Sequence, residues 1–240
     1  MAAKQVILCT GANTGLGYEV VKALMKSDLP YTIFLGSRSM QKGEAALSSL
    51  KAEVTSSPST IDVVQIDVTS DESIQKAYDT ISSKSDKLDV LINNAGQGFD
   101  RQIQLGNMTI REAWNVSWDV NVAGAEVVTH TFMPLLLKSS DPRLMFLTSG
   151  TASLSETERF DNPMYQRLNG SPSAGWPKSS AEVNPISSYR STKVGLNMMM
   201  REWDRRLRND GVKVWSISPG FLATGLAGVG PEQLRKVKWL

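Results

Sequence analysis

The run Gln5-Val6-Ile7-Leu8-Cys9-Thr10-Gly11-Ala12-Asn13-Thr14-Gly15-Leu16-Gly17 decides the fold. Gln5 to Thr10 is a short, mostly apolar stretch, as expected of a strand buried on both faces. Val20, Val21 and Leu24 then begin a helical period. A strand, a glycine turn and a helix start are the context in which a glycine-rich match means dinucleotide binding; the alternative is an ordinary glycine-rich βα loop. Gly11 permits the tight turn, Gly15 lets backbone approach a pyrophosphate, and Gly17 allows close helix packing. The helix N-terminus offers N–H groups and a positive dipole end to phosphates. Asn13, Thr14 and Leu16 belong to the same cradle.

Working outward, the strand–helix alternation repeats. Tyr31 to Ser37 reads as a second strand and Lys42 to Val54 as a helix. An NAD-selective site carries an acid at the end of this strand for the ribose 2′-OH, whereas an arginine accommodates a 2′-phosphate. Here Ser37 is followed by Arg38, with Lys42 four residues on and no acid before Glu44. The expectation is NADP(H) rather than NAD(H), against the alternative that Arg38 is a solvated loop base. Ile61 to Val68 reads as a third strand whose end, Asp67-Val68, borders an adenine pocket. Ile74, Ala77, Tyr78 and Ile81 form a buried helical stripe. Leu88 to Ile92 is a fourth strand running into Asn93-Asn94-Ala95-Gly96. Adjacent asparagines form turns, while the small residues Ala95 and Gly96 let a cofactor ring lie against backbone. This alternation predicts an α/β fold built on a doubly wound parallel sheet.

Bulk properties narrow the class. The 240 residues carry 41% apolar side chains, enough for one substantial core, and a formal net charge of +2. That balance gives no footprint for nucleic acid or an anionic membrane. Arg201, Arg205, Arg206 and Arg208 alternate with Glu202 and Asp204, which reads as the outer face of an amphipathic helix. The single cysteine, Cys9, excludes an intramolecular disulfide and a cysteine-based metal site, and its apolar surroundings make it a core residue. There is no signal-peptide pattern at Met1 and no apolar run near ~20 residues. A soluble cytoplasmic protein is expected, in which the sequon Asn107-Met108-Thr109 is accidental.

Four residues carry candidate chemistry. Thr109-Ile110-Arg111-Glu112 has capping-box spacing and opens a long helix with Trp114, Trp118 and Val122 on its apolar side. Asn121 lies beside them, a bonded core polar or a kink on the plainest reading. Ser149 follows a fifth strand, Arg143 to Thr148; strand ends of a parallel sheet bind ligands, although a serine before Gly150 also suits a turn. Tyr189 and Lys193 stand four positions apart and share a face of a helix that continues through Val194, Met198, Met199, Trp203 and Leu207. The methionine run is read as core packing. An ammonium beside a phenol favours phenolate, so the pair suits a general acid, though such pairs also occur by chance on solvated helices. Val212 to Ile217 is a sixth strand, ending at Pro219-Gly220.

Thr10-Gly11-x-x-x-Gly15-x-Gly17, Asn93-Asn94-Ala95-Gly96, Asn121, Ser149, Tyr189-x-x-x-Lys193 and Pro219-Gly220-x-x-x-Thr224 occur in an order that resembles the short-chain dehydrogenase/reductase family, single-domain branch. The likeness spans nearly the whole chain and is greatest to NADPH-dependent carbonyl reductases and to fungal secondary-metabolism reductases. It implies a Rossmann-type, three-layer sheet in one domain covering residues 1–240. It also implies that Tyr189 protonates a carbonyl oxygen while the nicotinamide delivers hydride, with Lys193 holding the nicotinamide ribose and lowering the Tyr189 pKa. Ser149 fixes the same carbonyl, Asn121 holds a water that joins Lys193 to solvent, and Thr224 meets the carboxamide. Phe99, Trp176, Phe221 and Leu222 point to a hydrophobic small-molecule carbonyl or alcohol substrate.

The chain departs from the family pattern twice. Ser149 and Tyr189 are 40 positions apart, far beyond the family's spacing. Residues 153–187, rich in proline and glycine, therefore loop out to wall the substrate pocket, and are placed to cover the helix face that relatives use to dimerise; monomer and homo-oligomer stay open. The chain also stops 20 residues after Gly220, so the usual seventh strand is expected to be missing and 221–240 to form a shortened substrate segment. A non-catalytic NADP(H)-binding regulatory or scaffolding protein is the alternative. A nucleotide-sugar epimerase shares the Tyr–Lys pair but needs a different glycine spacing and a large C-terminal domain.

Overall fold

Runs of branched and aromatic residues closed by glycine or polar turns become strands, and amphipathic stretches between them become helices. A computed structural model describes residues 4–179, 182, 184–220, 222, 224 and 226. In chain order the elements are β1 (Gln5–Cys9), α1 (Gly15–Lys26), β2 (Tyr31–Ser37), α2 (Met40–Glu53), β3 (Thr60–Gln65), α3 (Asp71–Ser82) and β4 (Val90–Asn93). Then follow α4 (Asp100–Gln104), α5 (Ile110–Trp118), α6 (Gly124–Leu136), β5 (Arg143–Leu147), α7 (Pro163–Asn169), α8 (Ser187–Leu207) and β6 (Lys213–Ile217).

All strands are parallel, in the order β3-β2-β1-β4-β5-β6. This is the doubly wound arrangement, with its switch point between β1 and β4, where the carboxyl ends of the strands open a crevice. The alternation of side chains along each strand divides the core in two. Ile7, Cys9, Ile33 and Leu35 meet Val21 and Met25 of α1 and Ala46 and Leu50 of α2. Leu8, Phe34, Leu91 and Phe146 meet Ile74 and Ile81 of α3, Phe132 of α6 and Leu196 and Trp203 of α8. The three layers are thus as expected, and the stripe on α3 packs as read, with Tyr78 edge-on to Phe132. Cys9 is fully buried, and burial pushes its thiol up to about 12.

Several expectations change on contact with the structure. The long helix from Thr109 does form, with the expected capping box, but residues Asp119–Ala123 widen into a π-helical turn between α5 and α6. Trp118, read as part of an apolar side, is 38% exposed. With Val122, Met199 and Trp203 it lines an open groove of about 410 Å³ between the α5–α6 helix and α8. The methionine run likewise splits: Met199 and Met200 pack against the core, whereas Met198 is 61% exposed. A 3.6-residue period cannot hold all three consecutive side chains on one face. The arginine-rich face of α8 is solvated as expected, with Arg205 paired to Glu202, Arg208 to Asp204 and Arg206 to Glu126.

Residues 153–179 hold more regular structure than their composition suggests. A 3-10 turn at Ser155–Glu158 packs on α7, and Arg159 joins Glu156 to Asp161. The segment docks on the first turn of α8, and the Trp118–Trp203 groove is open. Among the described residues the sheet has six strands; Phe221 and residues 227–240 lie outside them.

Candidate active site

The glycine turn is built for close approach. Gly11 and Gly15 adopt φ values of +63° and +58°, a left-handed region costly for other residues. A Cβ on Gly17 would stand 2.5 Å from Asn94 Nδ2 and 2.7 Å from the Gly11 carbonyl oxygen, and one on Gly11 would stand 2.9 Å from the Ala95 Cα. The Thr14 side chain makes no capping bond and the first turn of α1 holds no acid, so among the described residues no side chain caps its first N–H groups. Asn13, Thr14, Gly15, Tyr18 and Lys42 border a cavity of about 640 Å³ between this turn and α2. Leu16 packs with the core on the α1 side. Thr224 comes over the turn, its Cβ and Cγ2 3.6 Å from where a Gly15 Cβ would sit. Gly220, after Pro219, takes φ +80° to bring the chain back there.

Arg38 is exposed at the end of β2, its backbone carbonyl accepting from Gln65. Neither its guanidinium nor the Lys42 ammonium has an acidic partner among the described residues. Asp67 lies two residues past β3, not within it, and uses Oδ1 to accept from Thr69 N and Oγ1. Val68 is partly buried, and its carbonyl oxygen would lie 2.4 Å from a Cβ on Gly124.

The two asparagines at the end of β4 have different tasks. Asn93, expected at the cofactor, is buried and donates to Thr129 Oγ1 of α6 (2.9 Å), so its side chain serves the fold. Asn94, left out of the expected site, donates to the carbonyls of Thr10 (2.8 Å) and Gly11 (3.1 Å) and pins the glycine turn. Thr10 Oγ1 answers by accepting from Asn94 N and Ala95 N. The asparagine doublet was visible in the sequence; which member faces the turn depends on strand register.

Beyond Ala95, the chain passes directly beneath the candidate chemistry. A Cβ on Gly96 would lie 2.9 Å from Asn121 Oδ1 and 3.2 Å from Lys193 Nζ. Asn121 Oδ1 accepts from Gln97 N (2.9 Å), and its Nδ2 donates to the Gln97 carbonyl (2.7 Å) and to Thr192 Oγ1 (3.1 Å). Both N–H groups of the Asn121 amide are therefore occupied, and one lone pair on Oδ1 is left to hold a water. The Tyr189 ring lies 3.5 Å from where a Gly98 Cβ would be. Lys193 Nζ sits 5.5 Å from the Tyr189 ring centroid and donates to the Leu147 carbonyl (2.8 Å), two residues before Ser149. Ser149 Oγ shares a hydrogen bond with Thr151 Oγ1 (2.8 Å) and accepts from Thr151 N (3.2 Å).

Burial dominates the electrostatics. It pushes the Tyr189 phenol above its ordinary value and brings the Lys193 ammonium down to about 8. The rise at Tyr189 is caused by loss of water, and the Lys193 ammonium is held against the Leu147 carbonyl. Two further residues escaped the sequence reading. Asp100, buried, accepts from Ser188 N (2.7 Å), Ser188 Oγ (2.8 Å) and Tyr189 N (3.1 Å), capping α8 from another element. Arg190 reaches across to the loop after Ser149 and to α7. An acid 88 positions before the helix it caps leaves no local signal.

A switch-point crevice with a glycine turn on one side and a Tyr–Lys helix on the other defines a nucleotide-dependent oxidoreductase. The family model of short chain dehydrogenases matches residues 5–162, and the chain belongs to the short-chain dehydrogenase/reductase family, an oxidoreductase of the alcohol–carbonyl couple. It is 48% identical over 223 residues to the short-chain dehydrogenase/reductase tropE of Talaromyces stipitatus, covering 93% of this chain and 80% of the relative. It is 46% identical over 226 residues to eupG of a Phoma species, covering 93% and 79%. Among solved structures, an NADPH-bound carbonyl reductase from chicken fatty liver superposes with a TM-score of 0.72 at 24% identity, over 94% of this chain and 83% of that one. That likeness is one of fold. Among the described residues no helix is long and apolar enough to cross a membrane.

Proposed function

We propose that this protein is an NADP(H)-dependent reductase of ketones or aldehydes, or catalyses the reverse alcohol oxidation. The observation that carries the reading is the packing of Tyr189, Lys193 and Asn121 against the two glycines Gly96 and Gly98. A Cβ on Gly96 would fill the space between Asn121 and Lys193, so the chain keeps open the place where a nicotinamide ribose fits. Gly11, Gly15 and Gly17, with Asn13, Thr14 and Leu16, cradle the pyrophosphate, and Asp67, Val68, Ala95 and Gly96 flank the adenine and ribose. Pro219, Gly220 and Thr224 close over the turn, and Arg38 with Lys42, both without an acidic partner among the described residues, bind a 2′-phosphate. NADPH, when bound, supplies the hydride.

The chain's own residues handle the proton. Tyr189 donates from its phenol to the carbonyl oxygen, and burial keeps that phenol protonated until a substrate needs it. Lys193, which donates to the Leu147 carbonyl, would hold the nicotinamide ribose and place a positive charge beside the phenolate as it forms. Ser149, held by the Thr151 turn, donates to the same carbonyl oxygen. Asn121 holds a water with its remaining lone pair and links Lys193 to solvent. The substrate is a hydrophobic carbonyl compound: Phe99 and Leu222 are half-buried near the crevice, and Trp176 is 87% exposed on the segment before α8. The single buried Cys9 suits a reducing compartment, and we assign the protein to the cytoplasm.

Titration with NADPH and NADH, followed by turnover on a panel of aromatic and cyclic ketones, tests the reading. NADPH is expected to bind at least about tenfold more tightly, the worth of one charge-assisted contact. Replacing Tyr189 by Phe is expected to lower kcat by about 10²-fold or more while NADPH affinity holds. Equal affinity for the two nucleotides removes the Arg38 assignment, and a fully active Tyr189→Phe enzyme removes the mechanism. Tight NADPH binding without turnover on any carbonyl would point to the non-catalytic alternative.

A further inference from the structure

Arg190 follows Tyr189 on α8 and takes no part in the proton transfer described above. Its guanidinium is half-buried and has no carboxylate partner among the described residues. Instead it spends its fork on three neutral oxygens. Nε donates to the Thr151 carbonyl (2.8 Å), Nη1 to the Leu168 carbonyl (2.9 Å) and Nη2 to Asn169 Oδ1 (3.0 Å). Thr151 belongs to the turn that orients Ser149, through both its N–H and its hydroxyl. Leu168 and Asn169 end α7, where unpaired carbonyls and the negative end of the helix dipole favour a cation. Asn184 Nδ2 donates to the same Leu168 carbonyl (2.8 Å), so the returning chain is tied to the same point.

One side chain therefore connects the catalytic helix, the serine turn and the long segment between them. The segment is otherwise held largely by its own bonds, such as Arg159 to Glu156 and Asp161, and Asn169 to the Glu156 and Arg159 carbonyls. We propose that Arg190 is a positioning residue that fixes the α7 segment and the Ser149 turn against Tyr189, and thereby determines which carbonyl compounds reach the site. This rests on the reductase reading above. A lysine cannot take over fully, because one ammonium lacks the planar fork that spans three separated acceptors.

Parent, Arg190→Lys and Arg190→Ala proteins are compared in NADPH affinity, in KM and kcat on a small aliphatic aldehyde and a bulky aromatic ketone, and in trypsin cleavage at Arg159, Arg167 and Lys178. Arg190→Ala is expected to bind NADPH within about twofold of the parent. Its ratio of kcat/KM for the bulky over the small substrate should change by about tenfold, mostly through KM, the scale of one lost charged hydrogen bond. Trypsin should cut the segment faster, with Arg190→Lys between the two. Unchanged selectivity and cleavage in Arg190→Ala overturn the proposal. So does a parallel loss of NADPH binding and activity in both variants, which marks a merely structural residue. Should the parent reduce no carbonyl, the reductase reading fails, and cleavage alone decides: faster cutting keeps Arg190 as the clamp, and unchanged cutting removes it.

Discussion

Lys193 shows what the site asks of a single residue. Its ammonium is buried and donates to the Leu147 carbonyl, and burial brings its pKa down from 10.5 to about 8. From pH about 8 to about 10.5 the unfolded chain therefore binds more protons at this position than the folded one, so stability rises with pH across that window. Urea denaturation of the nucleotide-free parent and of Lys193→Met separates this contribution from every other titration. The parent is expected to gain about 2 kcal/mol relative to the variant between pH 8 and 9.5. A difference that stays flat over that range would mean that the ammonium is not held at a cost. The sequence shows the Tyr–Lys spacing but cannot show this, because desolvation is set by Leu147, Gly96 and Asn121, all more than 45 positions away.

At the scale of elements, α8 is held at its first turn by ties that come from elsewhere. Its own N-cap position, Ile186, supplies no side-chain bond, and Asp100 takes over that task from α4. Replacing Asp100 by Ala leaves buried N–H groups of Ser188 and Tyr189 unpaired and is expected to cost about 1–3 kcal/mol in urea denaturation. It should also lower kcat more than it weakens NADPH, because the lost bond is to the backbone of Tyr189 itself. A variant with parent stability and kcat would show that Asp100 is dispensable. Legibility follows the range of the interaction. The capping box at Thr109 and Glu112 was readable because its partners are three residues apart, and so was the buried stripe on α3. The bonded, kinked place of Asn121 was readable too, whereas the fate of Asn93 and Asn94 and the reach of Arg190 were not, because each depends on which elements the fold makes neighbours.

For the molecule as a whole, the parallel sheet separates chemistry from stability. The glycine turn, Asn94, Ser149 and the Gly96–Gly98 strip all lie at the carboxyl ends of strands, where the doubly wound order leaves room for a ligand. That placement followed from the sequence once the strand–helix alternation was read. The opposite edge was silent in the sequence, yet it is where Asp89 draws the sheet together. Asp89 is 2% exposed; its carboxylate accepts from Val6 N of β1 (2.8 Å), from Lys87 Nζ (2.8 Å) and from Ser139 after α6, while its carbonyl accepts from Arg143 N of β5. Burial alone would raise its pKa, but the bonds from Lys87, Ser139 and Val6 outweigh burial and hold it below the usual carboxylate value. A lowered folded-state pKa stabilises the protein above the unfolded value, and that contribution fades as pH falls through the folded one. Asp89→Ala is therefore expected to lose about 1–3 kcal/mol of stability at pH 7, chiefly from the orphaned Val6 N–H. The gap from the parent should narrow in acid below about pH 4, where the parent's own advantage is titrated away. NADPH affinity should stay within about twofold, since the residue lies at the far end of the strands from the crevice. Denaturation at pH 7 and in acid, paired with nucleotide titration, checks both halves. A variant that keeps its stability but loses NADPH would show that the two edges of the sheet are not independent.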